Sequence, residues 1–400
     1  MFGAPAGAQQ QCTWKTVDDF VYPGSTTNSP SGIAAHDSRV FVSGTTGSGP
    51  DTGRWLVRRK KGSTWATVDD FLPAPAYRAH AAAIAVDQKG VVYVGGGTES
   101  TAAVPWVIRV SKDKGQTWFV SDTSSTVGQV RALTSQKSGP TFAGGNVAVG
   151  ADQWHWIVKS TSNNGATWGL SDQQPPTLGA IVVTGLGANE SNVYAAGYNF
   201  VDYQYRWQVR RRVGGTWSLV DDWMPLPNTS SSAFPTSVAV LQGGVVLVAG
   251  TFAPENQTPR WTVRRSANSG ATWAIVDDRV DCRAASLSVS RSGQEVLLAG
   301  RCPINGADTW VVYRSTNGGV SWSLSDSWVP GPGVGSAATA VGFDGDTAYA
   351  AGSTLNAGQR RWIVRKRVCG NTHDDDDDDD DDDDHHGHGR GKKHDRQCGR

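Results

Sequence analysis

A phrase of about eighteen residues recurs along this chain roughly every 50 residues, and it limits the possible folds more than any other feature. Its clearest copy, at 261–278, reads WTVRRSANSGATWAIVDD. The alternation of apolar and polar positions predicts two strands joined by a turn at 266–270. A fixed period of this length indicates a repeat architecture, in which each unit buries its apolar face against its neighbours.

Tryptophans mark both strands of the phrase. Those of the first strand are Trp55, Trp106, Trp156, Trp207, Trp261, Trp310 and Trp362. Those of the second strand are Trp14, Trp65, Trp118, Trp168, Trp217, Trp273 and Trp322. One repeated unit therefore accounts for fourteen of the seventeen tryptophans.

The remainder of each repeat predicts two more strands. One is a short apolar run that ends in small residues, at 91–95, 193–197, 246–250 and 348–352. It follows a run rich in Ala, Val and Ser, at 81–86, 237–241 and 286–289. Four short strands per period predict an all-β fold made of propeller blades, because small residues suit the strand beside the central channel and tryptophans suit the wide outer half.

The two ends of the repeat region complete each other. The strand at 13–19 has no Trp-x-Val strand before it, and the strand at 362–368 has no Trp-Val-Asp strand after it. We therefore predict a seven-bladed β-propeller with four antiparallel strands per blade, whose last blade takes three strands from the C-terminal side and one from the N-terminal side. Such 3+1 closure removes free sheet edges.

The chain divides into three parts. Residues 1–11 are small and polar and are expected to be disordered; they resemble the end of a secretion signal but lack its basic start and apolar core. Residues 12–370 form the propeller. Residues 371–400 form a disordered poly-Asp/His tail, because such a composition cannot bury a core. No apolar run approaches the roughly 20 residues that a transmembrane helix needs.

Four of the five cysteines are expected to form disulfides. In the aligned hairpins, Cys12 and Cys369 fall where a turn joins the strands of the other repeats, so a Cys12–Cys369 bond would replace that turn. Cys282 and Cys302 bracket one hairpin and are also expected to pair. Two disulfides predict an oxidising location, extracellular, at the cell surface or in the periplasm. Buried free thiols in a cytosolic protein are the alternative.

The acidic residues of the tail offset the net positive charge of the propeller in the chain as a whole. The whole chain has 37 basic and 37 acidic residues, but without residues 371–400 it has 32 basic against 25 acidic. The tail histidines His385, His386 and His388 could bind a divalent metal weakly, and a solubilising tail with only adventitious metal affinity is the favoured interpretation. We expect no cofactor and no metal site in the propeller.

The turn of the repeated hairpin resembles the Asp-box (BNR) repeat of sialidases and related propellers. The fullest copy contains Ser111, Asp113, Gly115 and Trp118. Three further copies carry Asn for Asp: Asn163, Gly165, Trp168; Asn268, Gly270, Trp273; and Asn317, Gly319, Trp322. In that family the acidic or amide side chain caps the turn, the glycine takes a positive φ and the tryptophan packs between blades. The box lies opposite the ligand face, so it indicates fold rather than catalysis.

The resemblance to sialidases also implies three arginines that hold a carboxylate, a Tyr–Glu nucleophile pair and an acid/base Asp. The Arg-Ile-Pro signature of the family is absent, and the chain has only four glutamates. Arg78, Arg131 and Arg283 start inner strands, near Tyr77 and His80, and could point into the channel mouth. Ordinary rim charge is the preferred interpretation, so no catalytic residue is assigned.

An aspartate ends every fourth strand: Asp18, Asp69, Asp122, Asp172, Asp221, Asp277 and Asp326. A glycosidase needs two carboxylates in one asymmetric site, whereas these recur in every repeat. We expect them to pair with the cations beside the first-strand tryptophans, such as Arg54, Arg206, Arg260 and Arg361, in a structural role.

Function is expected where the repeats differ. The loop of the fourth repeat contains Tyr198, Tyr203 and Tyr205, and the tryptophans outside the repeat, Trp154, Trp223 and Trp328, fall on the same face. Aromatic side chains on a rim suit sugar stacking or protein contact. Local packing of these loops is the equally weighted alternative.

The sequence therefore favours a non-catalytic, extracytoplasmic binding or interaction propeller, monomeric, with a glycan or protein as its ligand and no affinity for nucleic acid. A divergent glycoside hydrolase, sialidase-like or endoglucanase-like, is one alternative. A structural cell-surface component that acts through its acidic tail is the other.

Overall fold

The computed structural model describes residues 12–369 apart from 50–51, 75, 101–103, 151–152, 176 and 228. The chain divides into two units, Met1–Gly370 and Asn371–Arg400, and all of the described residues belong to the first. The segments predicted to be disordered, 1–11 and 371–400, lie outside the described residues, as do the tail histidines.

The described chain consists almost entirely of short β-strands, which confirms the predicted all-β class. The strands are β1 (Cys12–Phe20), β2 (Thr27–His36), β3 (Arg39–Gly49), β4 (Thr52–Lys61), β5 (Thr64–Phe71), β6 (Arg78–Val86), β7 (Val92–Glu99), β8 (Pro105–Ser111), β9 (Phe119–Ser135), β10 (Thr141–Gly150), β11 (Gln153–Thr161), β12 (Gly169–Gln173), β13 (Thr177–Leu178), β14 (Ile181–Ala188), β15 (Val193–Val201), β16 (Gln204–Val213), β17 (Thr216–Trp223), β18 (Ser232–Val240), β19 (Val246–Ala253), β20 (Arg260–Ser266), β21 (Ala274–Val280), β22 (Arg283–Val289), β23 (Val296–Ile304), β24 (Ala307–Ser315), β25 (Ser323–Trp328), β26 (Gly335–Asp344), β27 (Thr347–Asn356) and β28 (Gln359–Cys369). One 3-10 turn, Gln242–Gly244, precedes β19. No helix among the described residues is long and apolar enough to cross a membrane.

These strands pair into antiparallel groups of four, which we number as units in chain order. Unit 1 is β2–β5, unit 2 is β6–β8 with the first half of β9, unit 3 is the second half of β9 with β10–β12, unit 4 is β14–β17, unit 5 is β18–β21, unit 6 is β22–β25, and unit 7 is β26–β28 with β1. Units 1 to 3 form one continuous sheet, because β9 belongs to two units and Gly53 makes a parallel bridge to Arg78.

Strands from both ends of the described chain share unit 7. β1 pairs antiparallel with β28, and Cys12 lies opposite Cys369 in the register. These two cysteines form a disulfide that spans 357 residues of sequence. Cys282 and Cys302 form the second disulfide, on adjacent strands of unit 6. Both predicted pairings are confirmed.

The first-strand tryptophans of the sequence repeat hold neighbouring units together. All seven are fully buried. A Cβ atom added to Gly250 would lie only 2.5 Å from Trp207 Cζ3 of the preceding unit, so no larger residue fits beneath the indole. The same contact recurs between Trp362 and Gly44, Trp55 and Gly96, Trp156 and Gly197, Trp261 and Gly300, and Trp310 and Gly352. Six of the seven tryptophans therefore pack on a glycine of the next unit, which explains the paired recurrence of these residues in the sequence.

Buried ion pairs connect the same interfaces. In each case the aspartate that ends the fourth strand of one unit binds a cation on the third strand of the next: Asp18–Arg58, Asp69–Arg109, Asp122–Lys159, Asp172–Arg210, Asp221–Arg264 and Asp326–Arg365. The predicted partners Arg54, Arg206, Arg260 and Arg361 are wrong, because they bind the following residues Asp70, Asp222, Asp278 and Asp19 within their own units. Side chains alternate across a strand, so consecutive aspartates serve opposite faces.

One interface differs from this rule. At the cation position of unit 6 the chain has Tyr313, so Asp277 of unit 5 has no cation opposite it. Arg279 of the same strand binds Asp277 instead, with Nε 2.9 Å from Oδ2. Its guanidinium also stacks on the Tyr313 ring, 3.8 Å from the centroid. A cation–π contact therefore takes the place of the ion pair between these units.

Replacing Asp221 by Ala should destabilise the fold far more than replacing its neighbour Asp222. Arg264 and Asp221 are 9% and 8% exposed, so loss of the carboxylate leaves a buried guanidinium unpaired, at a cost of about 3–5 kcal/mol. The Arg206–Asp222 pair is 29% and 36% exposed, and its loss should cost less than about 1 kcal/mol. Urea unfolding of the two variants measures both values. Equal destabilisation would contradict the proposed role of the buried pair.

Candidate functional site

A central cavity of about 1070 Å³ is lined by the first strand of every unit. These inner strands are β2, β6, the second half of β9, β14, β18, β22 and β26. Their lining residues are mostly Ala, Gly, Ser and Thr, with one or two larger aliphatic residues per strand. The predicted placement of small residues on the strand beside the channel is therefore confirmed.

Each inner strand has a β-bulge at the same position. One residue there is skipped in the pairing with the second strand: Ser31, Ala82, Arg131, Thr184, Thr236, Ala285 and Thr339. A bulge leaves its extra residue unpaired and redirects the side chain. We call these seven residues the bulge positions.

The hydroxyl groups at the bulge positions join neighbouring units. Ser31 Oγ donates to the Ala81 carbonyl oxygen at 2.7 Å, and Thr339 Oγ1 donates to that of Pro30 at 2.8 Å. Thr184 and Thr236 donate in the same way to Pro235 and Ala284. In every case the acceptor directly precedes the bulge residue of the next unit. A small side chain at this position is therefore structural.

Arg131 is the exception among the bulge positions. Each bulge position and the four residues that follow it form the part of the cavity wall that one inner strand supplies. Arg131 is the one charged residue in these seven segments. The described part of the chain offers it no hydrogen bond or ion pair. Desolvation lowers the pKa of its guanidinium, with an opposing contribution from nearby Tyr198. Arg131 is therefore an unpaired cation on a part of the cavity wall that is otherwise uncharged.

Four further polar side chains lie beside Arg131 on the same side of the cavity: Arg78, His80, Glu99 and Gln129. Arg78 Nη1 lies 3.3 Å from Glu99 Oε1, so these two charges offset each other. The Gln129 amide nitrogen contacts His80 Nε2. The imidazole proton is then left on Nδ1, which is buried without a hydrogen-bond partner and lies 4.0 Å from Glu99 Oε1.

His80 is neutral at physiological pH. Burial, reinforced by the charges of Arg78 and Arg131, lowers its pKa to about 4. The local charge therefore consists of the Arg78–Glu99 pair, which is neutral as a whole, and the unpaired cation of Arg131. The site as it stands carries one net positive charge that faces the cavity.

An aromatic cluster lies next to Arg131, and its rings are not among the residues that line the cavity. The rings of Tyr198 and Tyr205 are 5.3 Å apart, and those of Tyr198 and Phe234 are 5.2 Å apart, both edge to face. Phe200 packs on Tyr205 with the ring centroids 4.9 Å apart. Tyr203 forms the tip of the β15–β16 hairpin and is 90% exposed. The structure thus brings together the three tyrosines that the sequence singled out.

Two of the candidate ligand tryptophans are placed elsewhere. Trp223 packs on Trp207, and Trp328 packs on Trp310, each within its own unit. The buried arginines Arg264 and Arg365 of the adjacent units stack on them. Their position follows the consecutive aspartates of the repeat, so their prediction as rim ligands is wrong and their role is structural.

Phe20 and Phe71 occupy the same repeat position, and the guanidinium groups of Arg58 and Arg109 stack on their rings in the same way. This recurrence explains the aromatic residues at the ends of these strands. It was hidden in the sequence because Phe and Trp alternate there with Arg, Ser and Gln.

The remaining candidates lie outside the polar group. Trp154 is half-buried against the core of units 3 and 4. Arg283 is exposed at the start of the inner strand of unit 6 and is not among the residues that line the cavity. Tyr77 is 44% exposed next to Arg78. The three arginines named from sequence therefore do not converge, whereas Arg78 and Arg131 do.

The turn between Ser111 and Trp118 is capped by one of its own side chains. Asp113 Oδ1 accepts hydrogen bonds from the Thr117 amide at 2.8 Å and from Ser111 Oγ at 2.8 Å. Burial alone would raise the pKa of Asp113, but the hydrogen bonds from Thr117, Ser111 and Gln116 lower it to about 2. Gly115 has φ = 87°, a conformation that favours glycine.

The three Asn-containing turns repeat this pattern. The amides of Thr167, Thr272 and Ser321 donate to the Asn163, Asn268 and Asn317 side-chain oxygens. Gly165, Gly270 and Gly319 also have positive φ. Trp118, Trp168, Trp273 and Trp322 are half-buried against the core clusters. No group of three potential metal ligands occurs among the described residues.

Comparison with known proteins identifies the fold. No family model matches the chain, and no curated protein matches it. A polysaccharide lyase of family PL25, an ulvan lyase bound to -[GlcA(1-4)Rha3S]-, is similar with a TM-score of 0.56 and 12% identity, over 88% of this chain and 96% of that chain. A protein of unknown function from Dyadobacter fermentans has a TM-score of 0.51 and 12% identity, over 88% and 98%. The sialidase of Trypanosoma rangeli in complex with the inhibitor DANA has a TM-score of 0.43 and 13% identity, over 71% and 54%.

These identities are too low to assign an activity, but the similarity shows that the chain has a β-propeller fold. The similarity extends over most of the chain, as the sequence repeat predicted. The polar group and the aromatic cluster must therefore be interpreted from their own geometry.

Replacing His80 by Gln should reduce the loss of stability on acidification. Because the pKa of His80 is lowered to about 4, only the unfolded chain takes up this proton as the pH falls from about 6.5 to 4, and the native state becomes less stable. The wild type should lose up to about 3 kcal/mol more than the variant between pH 7 and pH 4. Urea unfolding at a series of pH values measures the difference. Parallel stability curves would contradict the assignment of a buried neutral imidazole.

Proposed function

We propose that this protein binds a carbohydrate at the mouth of the central cavity and does not cleave it. The observation that carries the proposal is the cluster of the Tyr198, Tyr205 and Phe234 rings next to Arg131, which lines the cavity together with other polar side chains. Aromatic rings with a polar group at one end provide both an apolar face and hydrogen bonds, which sugars require.

The carboxylates do not favour hydrolysis. A glycosidase uses two carboxyl groups that flank the bond, about 5–9.5 Å apart. Glu99 is the one carboxylate among the described residues that line the cavity, and it is bound to Arg78. Glu255 accepts a hydrogen bond from the Ser230 amide on a surface loop. Since neither is part of a Tyr–Glu pair, a binding role fits the site better than the glycosidase alternative.

The structural neighbour with the TM-score of 0.56 supports a carbohydrate ligand, because its solved complex contains -[GlcA(1-4)Rha3S]-. That protein shares 12% of its residues with this chain, so the support concerns the class of ligand and not the reaction. A protein ligand remains the second candidate for the same surface, since exposed Tyr203 would suit either.

The proposal includes a closed ring of seven blades of the sialidase-like Asp-box type. Three contacts between unit 7 and unit 1 support closure: Asp18 of β1 binds Arg58 of unit 1, Trp362 packs on Gly44, and Thr339 donates to the Pro30 carbonyl oxygen. Each is the contact that the other neighbouring units make. A closed ring would hold the mouth rigid, which lowers the entropic cost of binding.

An extracytoplasmic location is part of the same proposal. Two disulfides support it, because such bonds form and persist in oxidising compartments. One of them joins residues 357 positions apart, and in the chain-entropy account a loop of that size contributes about 4 kcal/mol or more.

The proposal predicts that a glycan array, followed by calorimetry with the best ligand, detects saturable binding by the purified protein and no release of reducing ends. Replacing Tyr198 by Ala should weaken binding by about tenfold or more, the scale of one aromatic contact. Phe119, an exposed aromatic residue on an outer strand, provides the matched control, and its replacement by Ala should leave binding unchanged. Absence of any glycan ligand, or equal losses in both variants, would contradict the proposal.

A further inference from the structure

We propose that Arg131 forms an oxyanion site, which binds a carboxylate or sulfate group inside the mouth of the cavity. The proposal deepens the proposed function, since it assigns the anionic group to an acidic saccharide. The oxyanion site itself does not depend on the ligand being a sugar.

Arg131 departs from the repeat at a position where the other units have a small residue. The other six bulge positions hold Ser, Thr or Ala, and four of their hydroxyl groups bind a carbonyl oxygen of the next unit. Arginine gives up that hydrogen bond and places a long cationic side chain in the channel. The packing of neighbouring units therefore favours a small residue at this bulge position, whereas the sequence has a large, charged one.

The charges around Arg131 do not balance its own positive charge. The groups that face it are Arg78, His80, Glu99 and Tyr198. Glu99 lies 3.3 Å from Arg78 and 4.0 Å from His80, and neither His80 nor Tyr198 supplies a negative charge at neutral pH. The described residues thus leave the charge of Arg131 without a counterion.

The guanidinium of Arg131 is also accessible to a ligand, because the side chain is exposed to solvent. The surrounding protein lowers its pKa by partial desolvation. A bound anion would stabilise the charged form. Since a guanidinium presents two parallel N–H groups, it matches the oxygen pair of a carboxylate or sulfate better than a spherical ion.

The surroundings fit such a group. Tyr198 is close enough to interact electrostatically with Arg131, and Gln129 lies two residues before it on the same strand. Beyond Tyr198 begins the aromatic cluster, where the ring of a sugar that carries the acid group would pack. The bound oxyanion and the sugar face are therefore recognised by adjacent parts of one surface.

The experiment compares two polymers with one backbone. Binding of polygalacturonate and of its methyl ester is measured at 0.15 M salt, about the physiological ionic strength. The acidic polymer should bind wild-type protein about 10- to 100-fold more tightly, the scale of one charge-assisted hydrogen-bonded pair. Replacing Arg131 by Thr, the residue at three other bulge positions, should abolish the difference. Replacing Arg291, an exposed arginine of the β22–β23 turn, by Thr removes the same charge and should preserve it.

The outcomes separate this inference from the proposed function. If both polymers bind equally and R131T has no effect, the oxyanion site is wrong and the carbohydrate function stands. A third arm uses inorganic sulfate, with the melting temperature as readout. If neither polymer binds but sulfate stabilises the wild type and not R131T, the site binds a free anion and the carbohydrate function falls. If neither polymer nor sulfate interacts with the wild type, the inference is overturned.

Discussion

The packing of a buried tryptophan on a glycine of the next unit, which six of the seven first-strand tryptophans make, is the contact on which the rest of the structure depends. A Cβ atom at Gly250 would lie 2.5 Å from Trp207 Cζ3, so the two residues require each other. The contact brings the third strand of one unit against the second strand of the next. It also places Asp221 and Arg264 within 2.8 Å of each other, away from water. The same apolar contact and the same ion pair join unit 7 to unit 1, through Trp362, Gly44, Asp18 and Arg58.

Repetition of this interface makes the departures from it informative. A position that holds the same kind of residue in the other units can change only where something compensates. Arg131 is such a change, because it replaces the Ser, Thr or Ala of the other bulge positions with an unpaired cation. Tyr313 is another, and there the compensation is visible in the stacked Arg279. No protein group within the described chain balances the charge of Arg131. This contrast with Tyr313 is the reason to infer a bound ligand.

The sequence predicted the repeat, the strands, the two disulfides and the capped turns, because each depends on a pattern that recurs along the chain. It assigned the wrong partners to Asp18 and its equivalents, since alternation across a strand sends adjacent aspartates to different neighbours. It also misplaced Trp223 and Trp328, whose repeat position is shared with Phe20, Arg279 and Gln174. The convergence of Arg78 and Arg131 at the mouth, without Arg283, depends on where the strands lie around the cavity, which no spacing encodes. An alignment of the seven inner strands would have revealed Arg131 as the exception.

A crystal structure with a bound acidic oligosaccharide is the most direct test of this account. The account predicts the acid group within hydrogen-bond distance of the Arg131 guanidinium, with a sugar ring against Tyr198. It also predicts that the side-chain-capped turns, Asp113 among them, are free of ligand. A sugar bound at those turns, or at the mouth with Arg131 turned away from it, would contradict the claim that the departures from the repeat form the site.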